Sequence, residues 1–133
     1  MRWIVDDCVK FVEREIRRGH RYDIIIMDPP SYGRGPSGEI WKLEDKIYSF
    51  VELCTGVLSE DALMVLVNSY TTGLSPAVMQ YILGAVVNPR FGGEVRPMKS
   101  PSGLCSQMAL PCGATAICAG PRAGMIESKD DNA

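Results

Sequence analysis

Asp28-Pro29-Pro30-Ser31-Tyr32 is the densest chemistry-bearing run in the chain, and it follows directly on the apolar strand that ends Ile24-Ile25-Ile26-Met27. Two successive prolines fix φ and delete two backbone donors, which stiffens the loop and leaves its carbonyls to accept. A carboxylate at the mouth of a strand, with an aromatic ring four residues on, makes a grip for a flat, polar group. The plainer reading of the same residues is a strand terminator with a capping aspartate. Just downstream, Gly33-Arg34-Gly35-Pro36-Ser37-Gly38 fits G-x-G-x-x-G. A dinucleotide loop must leave its strand at once and open a helix at the third glycine; here Asp-Pro-Pro-Ser-Tyr intervenes and Pro36 restricts the turn.

Other reactive side chains carry blander expectations. Five cysteines, Cys8, Cys54, Cys105, Cys112 and Cys118, with no C-x-x-C pair, fit neither a disulfide framework nor a zinc site. Cys8 and Cys54 stand among apolar residues at helical spacing, which predicts buried free thiols. Arg14, Arg17, Arg18, His20 and Arg21 concentrate positive charge, and the expectation is a solvated helix face compensated by Glu13 and Glu15, with His20 as a turn residue.

The elements that must position these groups follow from periodicity. Residues 2–5 read as a short strand, and Asp6 or Asp7 as the cap of a helix in which Cys8, Val12 and Ile16 recur at helical spacing until Gly19 ends it. Residues 22–27 (YDIIIM) form the clearest strand, with Ile24, Ile25 and Ile26 expected to be buried on both faces, as in a parallel sheet. Residues 31–39 read as loop. From Trp41 to Leu58 the residues Leu43, Ile47, Phe50, Val51, Cys54 and Leu58 trace one helical stripe. Residues 62–67 make another apolar strand and 68–73 another loop. Ser75 then caps a helix with Pro76 in its first turn and Val78, Tyr81, Ile82 and Ala85 on its inner face. Residues 94–98 and 114–119 read as two further strands. This succession implies an α/β fold with a mainly parallel sheet and a C-terminal antiparallel hairpin. Ligands of such sheets bind outside the carboxyl ends of the strands, so the loops at 6–8, 28–38 and 68–73 are expected on one rim.

Composition sets the bounds. The 133 residues, 46% hydrophobic and 23% charged, suffice for one ordinary domain with a real core. Fourteen basic against sixteen acidic residues give a net charge of −2, which removes the strongly basic signature of a simple nucleic-acid-binding domain but not a local basic site. No stretch approaches the ~20 apolar residues of a membrane span. The opening MRWIVDDCVKF is neither a signal nor a transit peptide, so the expected location is cytoplasmic.

YDIIIMDPPSY resembles motif IV of class I S-adenosylmethionine-dependent methyltransferases, in the Asp-Pro-Pro-aromatic form found where nucleobases are methylated. The serine between proline and tyrosine makes it more similar to the large-subunit ribosomal RNA branch that acts on cytosine C5 or guanine N7, and GRGPSGEIWKLED is similar to bacterial members of that branch. Ile4-Val5-Asp6-Asp7-Cys8 resembles motif III. Val65-Leu66-Val67-Asn68-Ser69 resembles the fifth strand with its exit, and LPCGATAIC the last strand. The resemblance spans residues 2–120 and is most specific over 22–44.

The resemblance implies a partial Rossmann-like fold, with residues 1–123 the C-terminal portion of a methyltransferase catalytic domain within a longer enzyme and 124–133 a disordered tail. In the family strand order 3-2-1-4-5-7-6, the glycine-rich loop after strand 1 and the ribose-binding acid after strand 2 have no counterpart here. Residues 2–5 would then lack a neighbour, and the strand at 22–27 would form an exposed apolar edge. The implied cofactor is S-adenosylmethionine, contacted by the Asp7 side chain, the Cys8 backbone and Asp28. The implied catalytic set is Asp28, Pro29, Pro30, Tyr32 and Asn68. The substrate contacts are Tyr32, Arg34 and Trp41, with the glycine run a mobile lid from which Arg34 reaches a phosphate while Tyr32 or Trp41 stacks on a base. Such stacking is worth roughly 1–3 kcal/mol. The implied partner is RNA, ribosomal in this branch, with no metal.

Cytosine C5 becomes nucleophilic only after a thiolate adds to C6, yet Asn68-Ser69-Tyr70 holds no cysteine and Cys54 lies on an apolar helix face. A nitrogen target is therefore expected over C5. Two alternatives stay open: a Rossmann-like interaction module without an active site, and a fragment of an NAD(P)-dependent oxidoreductase that uses the glycine run.

Overall fold

A computed structural model describes residues 3–35, 38–71, 73–99 and 114–120. Helix α1 (Cys8–Arg18) begins where the Asp7 carboxylate accepts the Lys10 N–H at 3.1 Å. It ends at Gly19, whose φ of 71° only glycine adopts without strain. There the His20 N–H reaches back to the Glu15 carbonyl and the Gly19 N–H to that of Ile16, so two carbonyls of the last turn are satisfied.

The chain then enters β1 (Ile24–Met27) and crosses a hairpin of β2 (Tyr32–Arg34) and β3 (Ile40–Lys42). Helix α2 (Leu43–Thr55) leads to β4 (Met64–Ser69), α3 (Pro76–Val86) and the single turn α4 (Asn88–Phe91). Strands β5 (Glu94–Lys99) and β6 (Ala114–Ala119) close the sheet. Its order is β1-β4-β6-β5, with β1 and β4 parallel and β6 antiparallel to both its neighbours. That order is the one the resemblance implies for strands 4-5-7-6. The core lies between one sheet face (Met27, Val65, Val67, Ala116, Cys118) and the inner stripes of α2 (Leu43, Ile47, Val51, Cys54) and α3 (Met79, Ile82, Leu83). No helix among the described residues is long and apolar enough to cross a membrane.

Several expectations need correction. Trp3, Ile4 and Val5 form no strand and are exposed, Val5 completely, because no neighbouring strand offers them a partner; Arg2 lies outside the described residues. Strand β1 is not buried on both faces: Ile24 is 48% and Ile26 66% exposed, since β4 pairs with it on one side only and the helices pack on one face. The stretch read as loop contains β2, which pairs with β3 just beyond it, and Trp41 belongs to β3 rather than to the helix, which starts at Leu43. Asn68 and Ser69 extend β4 instead of opening a loop, because β6 continues to pair with them. On α3 the inner residues are Met79, Ile82 and Leu83, whereas Val78, Tyr81 and Ala85 are exposed. Cys8 is exposed at the first turn of α1. The tail at 124–133, the thiols Cys105 and Cys112, and Pro36 and Ser37 lie outside the described residues.

Glu15 is also not a solvated counter-charge. It is buried, and its carboxylate accepts from the Tyr22 hydroxyl (2.5 Å), faces His20 Nδ1 (2.7 Å) and pairs with the Arg18 guanidinium (3.0 Å). Tyr22 in turn donates its N–H to the Val57 carbonyl, and Arg21 reaches the Gly56 carbonyl at 3.0 Å. Gly56 meets Ile16 so closely that a side chain there would collide with it. Glu15 therefore ties α1 to the entry of β1, which is itself bonded to the end of α2. The Tyr22 hydroxyl foremost, with His20 and Arg18, holds the Glu15 carboxyl at about 2, against an ordinary value of 4.5. A carboxyl with a depressed folded-state pKa stabilises the fold above its unfolded value and loses that contribution as pH falls through the folded one. Denaturant midpoints followed from pH 6 to pH 2 are expected to fall between about pH 4.5 and about 2. Glu15→Gln is expected to lower the pH 6 midpoint and remove that part of the pH dependence; a variant with the wild-type slope would contradict the assignment.

Candidate active site

Parallel pairing of β1 with β4 sets Met27 opposite Val67, so the next residues, Asp28 and Asn68, emerge side by side at the carboxyl ends of adjacent strands. The Asn68 amide donates to Asp28 Oδ1 at 3.1 Å. Along β4 the buried residues are Val65, Val67 and Ser69, which places Asn68 on the alternate, half-buried face.

The four residues between β1 and β2 are fixed from several directions. The Pro30 carbonyl accepts the Trp41 indole N–H at 2.8 Å, and the Ser31 carbonyl accepts the Leu43 N–H at 3.0 Å. The latter supplies a partner to the first turn of α2, where Lys42 offers no side-chain cap. From the exit of β4, the Thr71 hydroxyl donates to Ser31 Oγ at 2.7 Å, and the Thr71 N–H donates to the buried Ser69 hydroxyl at 3.1 Å. The Pro29 carbonyl accepts no hydrogen bond among the described residues, which leaves it and the exposed Asp28 carboxylate as acceptors at the strand mouth.

The β2–β3 hairpin continues from this loop, with Tyr32 opposite Lys42, Gly33 opposite Trp41 and Arg34 opposite Ile40. Tyr32 is 53% exposed, and Arg34 Nε donates to its hydroxyl at 3.4 Å. Trp41 packs inward, edge-to-face on Phe50 of α2 with ring centroids 5.8 Å apart. Chemically, the mouth offers two acceptors that orient a donor edge, an exposed aromatic ring and a guanidinium beside it.

Of the residues singled out in the sequence, Asp28 and Asn68 are thus in direct contact, and Pro29, Pro30 and Tyr32 continue the same loop. Arg34 touches Tyr32. Trp41 reaches the loop through its N–H, with its ring edge against Phe50. Asp7 caps α1, and Asp6 is ion-paired with Arg14. The rim joins the loops after β1 and β4; residues 6–8 precede a helix rather than leave a sheet strand, so no strand pairing brings them to that rim. The glycine run opens no helix, since Gly33 and Arg34 lie in β2 and Gly35 and Glu39 close the turn by a 2.9 Å bond. Thr71 was not singled out by sequence reasoning and Ser31 figured there only by its place in the Asp-Pro-Pro run, although two hydroxyls flanking the same strand mouths are the signal that was available.

Cys54 lies buried in α2, and burial pushes its thiol up to about 12; burial raises Cys118 as well. Neither is poised as a nucleophile.

No family model and no curated relative matches this sequence. Among solved structures, it is similar to a SAM-dependent methyltransferase from Agrobacterium tumefaciens, at 32% identity and TM-score 0.73, with 89% of this chain and 39% of that one covered. A Streptococcus mutans protein assigned to the SAM-dependent methyltransferases aligns with TM-score 0.60 at 16% identity, and an assigned methyltransferase complexed with SAH with TM-score 0.58 at 18% identity. These two share the fold, each over 86% of this chain and 30% of the other. The chain therefore spans well under half the length of each of these three structures.

Thiol reactivity tests the burial of these cysteines. Iodoacetamide at pH 8 is expected to alkylate Cys8 in the native protein at least about tenfold faster than Cys54 or Cys118, because thiolate fraction and access set the rate. Peptide mass analysis reads the sites, and rapid native labelling of Cys54 would show the helix packing to be wrong.

Proposed function

We propose that this chain carries the acceptor-orienting part of an S-adenosylmethionine-dependent methyltransferase that modifies a nucleobase in RNA, ribosomal RNA being the substrate class the motif resemblance favours. The observation that carries the reading is the Asp28–Asn68 pair at the mouths of two adjacent parallel strands, followed by a proline-stiffened loop and the exposed Tyr32. The similarity to the Agrobacterium methyltransferase supports the reaction class. The whole enzyme's domain would include residues 1–123 of this chain, and its cytoplasmic location follows from the same reading.

The residues present fit the cofactor in part. Asp7 uses one carboxylate oxygen to cap α1 and has a second to accept from an amino group. The Cys8 N–H belongs to the first turn of α1, where the helix itself provides no acceptor. Asp28 would take the cofactor's polar part at the strand mouth. When bound, the cofactor supplies an electrophilic methyl carbon. The chain's own task is then geometric: to hold the acceptor atom near ~3 Å from that carbon and in line with its bond to sulfur. Asp28 and the Pro29 carbonyl accept from the amino and imino edge of the base, Asn68 holds Asp28, and Tyr32 stacks on the ring. Arg34 meets a phosphate. A base within RNA structure would have to be splayed out to reach them.

A nitrogen acceptor is favoured over cytosine C5. Nitrogen is nucleophilic without covalent activation, whereas C5 needs a thiolate, and Asn68-Ser69-Tyr70 brings none to the mouth. The oxidoreductase alternative is disfavoured, since Gly33 and Arg34 lie in strand β2 and pair with Trp41 and Ile40.

Calorimetry on the complete protein with S-adenosylhomocysteine and with NAD(P) tests the cofactor, and tritiated S-adenosylmethionine with total RNA tests the transfer. Binding of S-adenosylhomocysteine but not NAD(P) is expected. Asp28→Ala is expected to lower methyl incorporation by about 10²-fold, the scale of losing an orienting contact. Turnover within a factor of two of wild type would remove Asp28 from the mechanism.

A further inference from the structure

The strand-mouth loop owes its direction to groups outside itself. Prolines 29 and 30 have fixed φ, and Pro29, preceding a proline, is confined to extended ψ. The main torsion left free is ψ of Pro30, which turns the Pro30 carbonyl about the chain. The Trp41 indole N–H holds that carbonyl at 2.8 Å, a side-chain hydrogen bond to the proline pair from outside the loop. Two features fix the indole in turn. Its edge-to-face packing on Phe50 sets the ring at 88° to its neighbour. Gly33, opposite it in the hairpin, presents no side chain to displace it. The core cluster of α2 is thereby connected to the proline pair through the indole, beside the Leu43 N–H bond to the Ser31 carbonyl.

We infer that Trp41 is a positioning residue, which aims the Pro29 carbonyl and the Asp28 carboxylate at the acceptor through the Pro30 carbonyl and does not itself touch the acceptor. This rests on the methyl-transfer reading above. It assigns the base contact to Tyr32, whose ring is exposed, and removes it from Trp41, whose ring is partly buried against Phe50. A mis-aimed loop still admits cofactor and RNA but presents the acceptor atom off line, so the loss falls on kcat.

The test uses the complete protein, tritiated S-adenosylmethionine and total RNA from cells lacking the gene. Trp41→Phe keeps an aromatic ring against Phe50 and deletes the N–H. It is expected to lower kcat about tenfold, with KM for RNA and affinity for S-adenosylhomocysteine within twofold of wild type. Should the phenylalanine variant unfold, replacement of tryptophan by benzothienylalanine removes the N–H at nearly constant shape and is expected to give the same split. Indole proton exchange supplies an activity-independent reading: the chain has two tryptophans, and the Trp41 signal should persist well beyond that of the exposed Trp3. An unchanged kcat, or a Trp41 indole that exchanges as fast as that of Trp3, overturns the inference. A rise in KM alone also overturns it, because that marks a substrate contact. Wild-type protein that neither transfers label nor binds S-adenosylhomocysteine overturns the methyl-transfer reading itself, a result distinct from an active enzyme indifferent to Trp41→Phe.

Discussion

The parallel register that sets Met27 against Val67 is the constraint on which the rest of the structure depends. Parallel neighbours end at the same rim, so whatever residue follows each strand is delivered to one place without any loop having to search for it. Here Asp28 follows β1 and Asn68 stands beside it near the end of the β4 ladder, close enough to bond at 3.1 Å. A slip of one residue in β4 would turn Val65 and Val67 out of the core, one in β1 would turn out Met27, and either would carry Asn68 away from Asp28. The hydrophobic alternation of β4 therefore fixes the polar pair, since the site cannot move without unpacking the layer beneath it.

Rigidity beyond the strand ends is supplied by acceptors rather than donors. A proline pair cannot join a ladder, so its carbonyls are available for other work, and the chain uses them in two ways. The Pro30 and Ser31 carbonyls face inward to the hairpin and to the open first turn of α2, while the Pro29 carbonyl stays at the mouth. The hydroxyl link from Thr71 to Ser31 joins the two loops, so neither is anchored by its own strand alone. Such a loop presents fixed dipoles to whatever binds and does not have to reorganise them, which is the condition under which orientation contributes most to rate.

Much of this was legible in the sequence. The isoleucine run, the Asp-Pro-Pro stop and the strand at β4 gave the sheet and the mouth because each is a local signal with a local cause. The α2 stripe was legible for the same reason. What was missed depends on partners. The β2–β3 hairpin rests on only three residue pairs, too few for periodicity to declare, and Trp41 looked helical because the stripe that begins at Leu43 gives no sharp start. Glu15 looked like one charge among many. Its burial comes from Tyr22, His20 and Arg18 converging on it, which no window of sequence displays. Ile24 and Ile26 carry the composition of a strand covered on both faces, yet the described residues cover one, so composition reported a need for burial rather than its fulfilment.

The chemistry that this arrangement suits follows from what the mouth holds and where the thiols are. Addition of a thiolate to a pyrimidine requires sulfur at the rim with a depressed pKa, whereas Cys54 and Cys118 are drawn into the core and their thiols pushed upward, and Cys8 stands at the start of α1. Carboxylate, carbonyl and amide at the rim cannot create a carbon nucleophile, but they can hold a planar, donor-edged ring so that a lone pair already present points in one direction. Transfer of a methyl group to a ring nitrogen that carries no hydrogen asks for little else, because that nitrogen has no proton to lose and the leaving thioether needs none. An amino nitrogen would in addition release a proton to solvent or to an acceptor such as Asp28. Under the proposed function, a stiff ring of acceptors at the ends of two parallel strands is therefore sufficient equipment on the acceptor side, and its precision rests on the packing of β4, α2 and the hairpin behind it.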